Sequence, residues 1–520
     1  MAQSFWSAWR WWLAPALVAL TLALIFVDPF IGDWDGLDYT VLALRGQPSS
    51  MALGRALFTY GNHALYSLAH ALFGLRAENA YLLFKYAVVA QSPLAIIACW
   101  MLARDLTHGV ETATIAALLV AVSPVFVVYS GQVMTDVPSV LLLTVALIIH
   151  LRGLKAGRLW MVLAGAALLG AGVNVRETVA FYAPWLVIAP FVCGWKTGRR
   201  AGLAIALSLL VFLIFAFGVF AYLFLMDVGG FQASWHGWRE SMRAESARHP
   251  VTIRNALPFM IYFFAVAPMV VVALPVAAFK EWRERGFSLP LALASVGLCA
   301  NLLLFFNYST TVNWRYFLTG LPALTPLVAA YFISEQTALW GDARRAFISV
   351  LLGIAFIAIV FSIYMKPTSR EHILKRALTK DYNARLARVP RDAVVMAGGQ
   401  TVAVTYWRGV GLGEWETIGT GGGWPGAQLA SVIETYLHNG RPVFLDADPR
   451  WWSPCGWQRE EIHELVQLES RFRFRRVSDT IYEVRPLTDE SARDAPNLKA
   501  LLPENRPAEI KKCAALDKLT

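Results

Sequence analysis

The sequence predicts an all-α polytopic membrane domain of about eleven transmembrane helices, followed by a small C-terminal α/β domain. Of the 520 residues, 57% are hydrophobic and only 16% are charged, whereas soluble chains usually carry about 25% charged residues. The mean hydropathy is +0.49. The surplus of apolar side chains must therefore face something other than water.

Long apolar runs supply the predicted spans, because a helix needs about 20 apolar residues to cross the hydrocarbon core of a bilayer. The first run lacks a small-x-small cleavage site, so we interpret it as a retained span and not as a signal peptide. The candidate spans are 11–31, 79–102, 112–130, 136–151, 159–175, 177–194, 201–226, 256–279, 288–307, 316–334 and 346–365.

The basic residues predict the orientation of these spans. A net charge of +10 could indicate a nucleic-acid partner, but many basic residues lie in short loops, in every second connection between the spans, which places them on one side of the membrane. Cytoplasmic loops are enriched in Lys and Arg, so the N-terminus is predicted to be cytoplasmic and no nucleic-acid partner is expected. Every internal loop follows this rule, whereas segment 228–255, which carries Arg239, Arg243, Arg248 and Arg254 on the outer side, departs from it. The loops concerned contain Arg104; Arg152, Lys155 and Arg158; Lys196, Arg199 and Arg200; Lys280, Arg283 and Arg285; and Arg344 and Arg345.

Four polar clusters fall on the opposite, outer side in this topology. Ionisable groups at membrane depth are costly and usually mark a functional site. The clusters are 33–38, 134–136, 174–177 and 307–315. Their shared side predicts one outward-facing cavity. We further expect the membrane to be a cell inner (plasma) membrane, whose lipids contact the protein.

The remaining segments are predicted to lie outside the membrane core. Residues 36–78 interleave polar side chains with Leu, Ala and Phe at spacings that favour amphipathic juxtamembrane helices on the outer face. The polar side chains are those of Arg55, Tyr60, His63, Tyr66 and His70. Residues 370–487 predict a small extracytoplasmic α/β domain, and residues 488–520 predict a polar, loose tail. Strands are expected at 392–397, 401–407, 442–447 and 480–484, and helices at 426–439 and 459–471.

Three motifs carry a resemblance to a known family. Asp35-Gly-Leu-Asp38-Tyr39 opens the first outer loop, Met134-Thr-Asp136-Val-Pro138 begins a later span, and Trp314-Arg315-Tyr-Phe begins another. Over residues 1–365 the chain resembles the GT-C superfamily of integral-membrane glycosyltransferases, in the branch of protein O-mannosyltransferases and aminoarabinose transferases. The family often has Glu after the first acid, where this chain has Gly36. Asp33, Asp35 and Asp38 therefore all remain candidates for the same role.

The resemblance implies an inverting transfer of a sugar from a polyprenyl-phosphate donor to an extracytoplasmic acceptor, which could be a protein, a lipid or a glycan. The catalytic candidates are Asp35 and Asp136. Asp35 would be the general base that takes the acceptor's proton, and Asp136 would orient the acceptor, hold a metal or position the juxtamembrane helix. The negative charge that develops on the leaving phosphate can be stabilised by a fixed arginine or by a divalent cation. The sequence assigns no cofactor, and a divalent cation is one of the two options for this role. The phosphate-binding candidates are Arg176, Arg315 and Arg55, and the supporting candidates are Asp33, Asp38, Tyr39 and Glu177.

Simpler interpretations stand beside these roles. Asp136 lies where an N-terminal helix cap is expected, Arg176 could pair with Glu177, and Arg315 could anchor the chain at the membrane interface. A transporter or flippase of a lipid-linked sugar is the alternative function. It predicts charges near the middle of the membrane and related halves with broken helices.

Overall fold

The computed structural model describes residues 2–28, 30, 34–48, 55–195, 198–248, 263–264, 266–307, 314–339, 384–398, 401–418, 426–454 and 458–511. Helices dominate these residues, and the strands found among them lie near the C-terminus. This confirms the predicted class of a helical domain followed by a small domain with a sheet. The chain divides into a membrane unit, Met1–Asp28 with Asp38–Glu371, and a C-terminal unit, Pro29–Leu37 with His372–Thr520.

Fourteen α-helices are described up to residue 339. They are α1 (Ala2–Ile25), α2 (Trp34–Arg45), α3 (Ala56–Phe73), α4 (Ala80–Thr107), α5 (Val110–Ala121), α6 (Pro124–Ser130), α7 (Asp136–Ala156), α8 (Leu159–Val173), α9 (Pro184–Val192), α10 (Arg199–Met226), α11 (Val228–Arg248), α12 (Pro268–Arg285), α13 (Leu289–Asn307) and α14 (Leu321–Leu339). Helices α2 and α3 occupy the segment 36–78 in which juxtamembrane helices were expected.

The predicted number of spans is not reproduced. Four helices of the described residues are long and apolar enough to cross a membrane, or five if one bent pair counts as a single span. The long ones are Ala77–Thr107, Asp136–Ala156, Ala201–Met226 and Arg315–Ser334. The predicted runs near 11–31, 159–175, 177–194 and 288–307 form shorter apolar helices, and the run 346–365 lies outside the described residues.

Proline and turn residues explain why apolar runs yield shorter helices. The run 112–130 is divided into α5 and α6, which meet at an angle of 64°. Ser123 is the N-cap of α6 and Pro124 is its first residue. A proline disfavours helical backbone in the residue before it and lacks the N–H that a continuous helix needs. Hydropathy detects the apolar run but not this break.

Helix α10 shows the apolar exterior expected in a bilayer. Its span has a mean hydropathy of 2.9, and only 28% of that window is buried. Leu213, Ile214 and Phe215 on this helix are each about half exposed, at 49%, 56% and 50%. Such an apolar surface is costly in water and is the surface that lipid covers.

The pair α7–α8 forms an antiparallel hairpin that determines which residues share one end of the membrane unit. Gly157 ends α7 in the left-handed conformation, with φ of 64°. Gly165 of α8 lies so close to α7 that a Cβ there would be 2.6 Å from the His150 backbone nitrogen. Small residues permit this close helix packing in membranes. The hairpin therefore brings the start of α7 and the end of α8 to the same end.

The C-terminal unit contains a five-stranded mixed sheet in the order β2-β1-β3-β5-β4. Strand β1 (Val394–Met396) pairs in parallel with β2 (Glu416–Thr417) and β3 (Val443–Asp446). Strand β5 (Ile481–Pro486) pairs antiparallel with β3 and with β4 (Phe472–Arg476). The α-helices in the described part of the unit are α15 (Thr401–Gly409), α16 (Gly426–His438) and α17 (Gln458–Gln467).

Two expectations for this unit need correction, and one of its strands was not expected. Residues 401–407 were predicted to be a strand because they are rich in β-branched and aromatic residues, but they lie in α15, whose buried positions include Thr401, Val404 and Trp407 at helical spacing. Tertiary packing has overridden local propensity there. Strand β4 was not anticipated. The predicted loose tail is packed over its described part, since Leu498 and Leu501 are fully buried.

A buried charge cluster lies at the carboxyl end of β3. Asp446 is 1% exposed, accepts a hydrogen bond from the Thr480 hydroxyl at 2.9 Å, and lies 3.4 Å from the Arg385 guanidinium. Arg385 also reaches the Asp448 carboxylate at 2.8 Å. Burial raises the pKa of Asp446 to about 6, because loss of water penalises its charged form more than these partners favour it.

This shift predicts a pH-dependent local stability. A folded-state pKa above the ordinary value of 3.8 means that the stabilisation from protonated Asp446 is complete below about pH 4 and is lost as pH rises through about 6. The loss is on the order of 3 kcal/mol. We expect hydrogen-exchange protection of β3 and β5 amides in the full-length protein, corrected for intrinsic rates, to fall across this window.

The variant Asp446→Asn should remove most of this pH dependence, since its side chain does not ionise. The matched control is Asp479→Asn, because the Asp479 side chain is fully exposed. A wild-type slope that persists in Asp446→Asn would contradict the assignment.

Candidate active site

The start of α7 carries a buried carboxylate. Thr135 is the N-cap, Asp136 is the first helical residue, and Pro138 lies in the first turn. This matches the Thr-Asp-x-Pro pattern, since an acid and a proline both suit a helix N-terminus. The Asp136 side chain is 1% exposed, and a buried charge of this kind needs a partner.

Arg176, which follows α8, is that partner. Its Nη1 atom lies 2.7 Å from Asp136 Oδ1 in an ion pair whose two side chains are each 1% exposed. Nη1 also donates a hydrogen bond to the Thr135 hydroxyl at 3.2 Å. In the structure described, the ion pair of Arg176 is with Asp136, whereas Glu177 forms an ion pair with Arg55.

The ion pair leaves donors unused. The Nε and Nη2 atoms of Arg176 are buried and have no hydrogen-bond partner among the described residues. Buried polar groups are nearly always hydrogen-bonded, and a guanidinium presents its N–H groups in a plane that suits a phosphate or a carboxylate. Arg176 is thus held by one anion and retains the capacity to bind a second.

A second guanidinium lies beside the first. The 3₁₀ helix Trp314–Gly320 contains Arg315 and Tyr316, and Arg315 is 5% exposed. The Cζ atoms of Arg176 and Arg315 lie 4.7 Å and 5.6 Å from the centre of the Tyr316 ring. A hydrogen bond of 2.8 Å from the Tyr182 hydroxyl to the Thr319 carbonyl fixes this 3₁₀ helix against the segment that follows Arg176. Two cations on one aromatic ring favour an anionic ligand nearby.

Arg55 joins the same region through Glu177. Its Nη2 atom lies 3.4 Å from Glu177 Oε1, and Nη1 donates a hydrogen bond to the Tyr39 hydroxyl. Arg55 is 3% exposed and has φ of 73°, a left-handed conformation that costs a residue with a Cβ about 1 kcal/mol. The Leu57 amide donates to the Asn174 carbonyl at 2.9 Å, which fixes the start of α3 to the end of α8.

Six of the predicted site residues therefore converge in the membrane unit. They come from the middle of α2, the starts of α3 and α7, the segment after α8, and the 3₁₀ helix before α14. Three guanidiniums against two carboxylates leave an excess of one positive charge, counted over the charged members of this set. The converging residues are Tyr39, Arg55, Asp136, Arg176, Glu177 and Arg315.

The acids of the first motif are placed differently. Asp35 lies half-buried in the first turn of α2 and groups with the C-terminal unit, whereas Asp38 groups with the membrane unit. Asp33 lies outside the described residues. The general base at Asp35 stays a prediction.

Lys85 is a charged residue that the sequence analysis missed. It lies in α4, is 1% exposed, and donates a hydrogen bond to the Asp28 carbonyl. Its Nζ atom lies 5.0 Å from the centre of the Tyr81 ring. The Asp28 amide in turn donates to the Gly131 carbonyl at 3.1 Å. A lone lysine inside the apolar run 79–102 was the available signal, because ionisable residues within spans usually mark a function.

The described residues contain no group of three or more His, Cys, Asp or Glu side chains that could hold a metal ion. The carboxylate of Asp136 is instead engaged by Arg176 at 2.7 Å. The donor set of the described site thus suits an anionic ligand better than a bound cation.

The family model of dolichyl-phosphate-mannose-protein mannosyltransferases matches residues 62–221. Among curated proteins, no relative matches the chain. The matched segment includes α7, α8, Asp136 and Arg176, and it excludes the C-terminal unit.

Solved structures are similar in fold over most of this chain. ArnT from Cupriavidus metallidurans bound to undecaprenyl phosphate matches with a TM-score of 0.56 and 15% identity, over 92% of this chain and 98% of that one. Archaeal oligosaccharyltransferase AglB from Archaeoglobus fulgidus, in complex with an inhibitory peptide and a dolichol-phosphate, matches with a TM-score of 0.50 and 14% identity, over 95% and 77%. The apo form of the Archaeoglobus fulgidus oligosaccharyltransferase gives a TM-score of 0.53 at 13% identity, over 96% and 77%.

The buried ion pair predicts strong coupling between Asp136 and Arg176. Arg176→Gln alone should lower the free energy of unfolding by about 3–5 kcal/mol, because it leaves a buried carboxylate without its partner. Adding Asp136→Asn should recover a large part of that loss. Unfolding of the purified protein in mixed micelles with increasing dodecyl sulfate measures both values in a double-mutant cycle.

The control cycle uses Arg152 and Asp105, whose ion pair at 2.5 Å is 43% and 20% exposed. It should show coupling of about 0–1 kcal/mol. Additive effects at Asp136 and Arg176 would show that the two side chains do not depend on each other.

Proposed function

We propose that this membrane protein transfers a sugar from a polyprenyl-phosphate donor to an acceptor outside the cytoplasm. Its resemblance to the GT-C glycosyltransferases is confirmed by its fold and by the family match. The observation that carries the proposal is the buried guanidinium of Arg176, held by Asp136 at 2.7 Å with two N–H-bearing nitrogens unused among the described residues. Such a group suits a phosphate at membrane depth.

The chemistry of the donor fits this environment. A polyprenyl phosphate combines a long apolar chain with one anionic group, so it needs lipid contact and a basic site at the membrane surface. Arg176, Arg315 and Arg55 would supply the basic site, with Lys85 as a further cation. Undecaprenyl phosphate and dolichol-phosphate are the lipids named in the ArnT and AglB structures, which supports a lipid of this class here.

In the proposed reaction, an acceptor hydroxyl or amine attacks the anomeric carbon from the face opposite the phosphate. The new bond to carbon forms as the carbon–oxygen bond to phosphate breaks, and the departing polyprenyl phosphate keeps the electron pair. Asp35 would accept the proton of the acceptor, and Arg176 would stabilise the charge that develops on the phosphate. The configuration at the anomeric carbon would be inverted.

Asp136 is assigned a positioning role in this proposal, although the sequence analysis grouped it with the catalytic residues. Its carboxylate is 1% exposed and paired with Arg176. Taking up a proton would break that ion pair, so it is poorly suited to act as a base. Asp38, Tyr39 and Glu177 would support the arginines, since Tyr39 and Glu177 both contact Arg55.

The two ends of α7 indicate on which side of the membrane the arginine cluster is proposed to lie. Asp136 begins this helix, and Arg152 and Lys155 lie in its last turns. If the basic end faces the cytoplasm, as the positive-inside rule requires, the arginine cluster faces the periplasm or cell exterior. The sugar and the acceptor, whether a protein, a lipid or a glycan, are left open, and no step here uses a divalent cation.

The test is transfer of labelled sugar by the full-length protein in lipid nanodiscs, supplied with a panel of polyprenyl-phosphate sugars. Arg176→Gln should lower the transfer rate about 100-fold or more, and Asp35→Asn about 100- to 10,000-fold. The control Arg152→Gln removes a guanidinium from the opposite end of α7 and should keep the wild-type rate.

Two outcomes would refute the proposal. Donor movement between leaflets without any sugar transfer would favour the transporter or flippase. A full transfer rate in Arg176→Gln would remove this arginine from the reaction.

A further inference from the structure

A polar cavity of about 900 Å³ lies in the C-terminal unit. Its lining comes from the amino ends of the three parallel strands β1, β2 and β3, and from the loop that leads from α15 into β2. The lining residues are Arg391, Asp392, Arg408, Gly411, Leu412, Gly413, Glu414, Glu416 and Arg441. A volume of this size is within the range of ligand pockets, roughly 300–1,000 Å³.

Arg441 holds this cavity in a fixed shape. Its Nε atom donates to the Asp392 carbonyl at 3.0 Å, and its Nη2 atom donates to the Glu414 carbonyl at 3.1 Å. Its Nη1 atom pairs with the Glu416 carboxylate at 2.8 Å. One side chain thereby joins the beginnings of all three parallel strands, so the lining is organised before any ligand arrives.

Glu416 is fully engaged and is part of the frame. It also accepts a hydrogen bond from the Tyr436 hydroxyl at 2.8 Å and pairs with Arg408 at 3.2 Å. The hydrogen bond from Arg441 and these neighbours hold the pKa of Glu416 below its ordinary value. Glu416 therefore remains ionised at neutral pH and keeps both arginines in place.

Other groups of the lining remain available to a ligand. The side chains of Arg391, Asp392 and Glu414 make no hydrogen bond or ion pair with any residue that the structure describes, and all three are exposed. Gly411 has φ of 81°, and a Cβ on Gly413 would lie 2.8 Å from the ring of Trp415. The loop thus requires glycine at both positions, which leaves its backbone accessible at the cavity wall.

The balance of charges decides the class of ligand. Three arginines (391, 408 and 441) oppose three acids (392, 414 and 416), so the lining has no net charge. Such a cavity gives no net attraction for a simple anion or cation. It does offer both strong donors and strong acceptors, and a sugar hydroxyl uses both because it donates one hydrogen bond and accepts others.

We propose that this cavity binds an uncharged glycan segment of two or three sugar units. The Asp392 and Glu414 carboxylates accept hydrogen bonds from sugar hydroxyls, and Arg391 donates to sugar oxygens. The role of this binding, which is to hold the acceptor during sugar transfer, rests on the proposed function. The glycan-binding property itself rests only on the cavity.

The test uses the full-length protein in nanodiscs on an immobilised panel of neutral di- and trisaccharides of hexoses and N-acetylhexosamines. Matched trisaccharides that carry uronic acid or phosphate stand beside them. At least one neutral trisaccharide should be retained. The double variant Asp392→Asn/Glu414→Gln should weaken that binding at least tenfold, because amides are weaker acceptors than carboxylates.

The control variant Asp479→Asn/Glu490→Gln changes two exposed acids that are not part of the lining and should bind as the wild type does. Retention of charged glycans only, of no neutral glycan, or of the same glycan by the double variant would overturn the inference. Arg176→Gln separates the two proposals: it should lose sugar transfer and keep glycan binding. Transfer that persists without glycan binding would refute the cavity alone.

Discussion

The ion pair between Asp136 and Arg176 is the interaction on which the arrangement of the membrane unit depends. Both side chains are 1% exposed and meet at 2.7 Å, in surroundings where an unpaired charge costs several kcal/mol. The ion pair forms only if the first residues of α7 lie beside the residues that follow α8. The hairpin about Gly157 provides this arrangement. Arg176 then contacts Tyr316, and Arg315 contacts the same ring. The guanidinium cluster is thus a consequence of how one buried carboxylate is neutralised.

The sequence was sufficient to predict most members of this site. Thr135, Asp136 and Pro138 indicate a helix start, and the alternation of basic turns with polar clusters predicts that Asp136, Arg176 and Arg315 share one end of the bundle. It could not predict which charges pair, because that depends on helix packing across distant parts of the chain. Lys85 was overlooked because a single cation changes the hydropathy of a long span very little.

The fold shows a similar division between local and tertiary effects. Long apolar runs predict α4, α7 and α10 well, but the run 112–130 breaks at Ser123–Pro124, and the short helices α8 and α9 fall below the length of a full span. In the C-terminal unit, β3 and β5 lie where strands were expected, whereas α15 takes a helical form despite its strand-like composition. Composition alone does not specify the face against which such a segment packs.

We propose that the unused donors of Arg176 bind the phosphate of a polyprenyl phosphate. An electron cryo-microscopy map of the protein in nanodiscs with undecaprenyl phosphate added, compared with the same preparation without it, tests this binding. We expect added density for a phosphate whose oxygens lie about 3 Å from Arg176 Nε or Nη2, with the ion pair to Asp136 intact. A phosphate bound elsewhere, or no added density at saturating lipid, would contradict this role of Arg176.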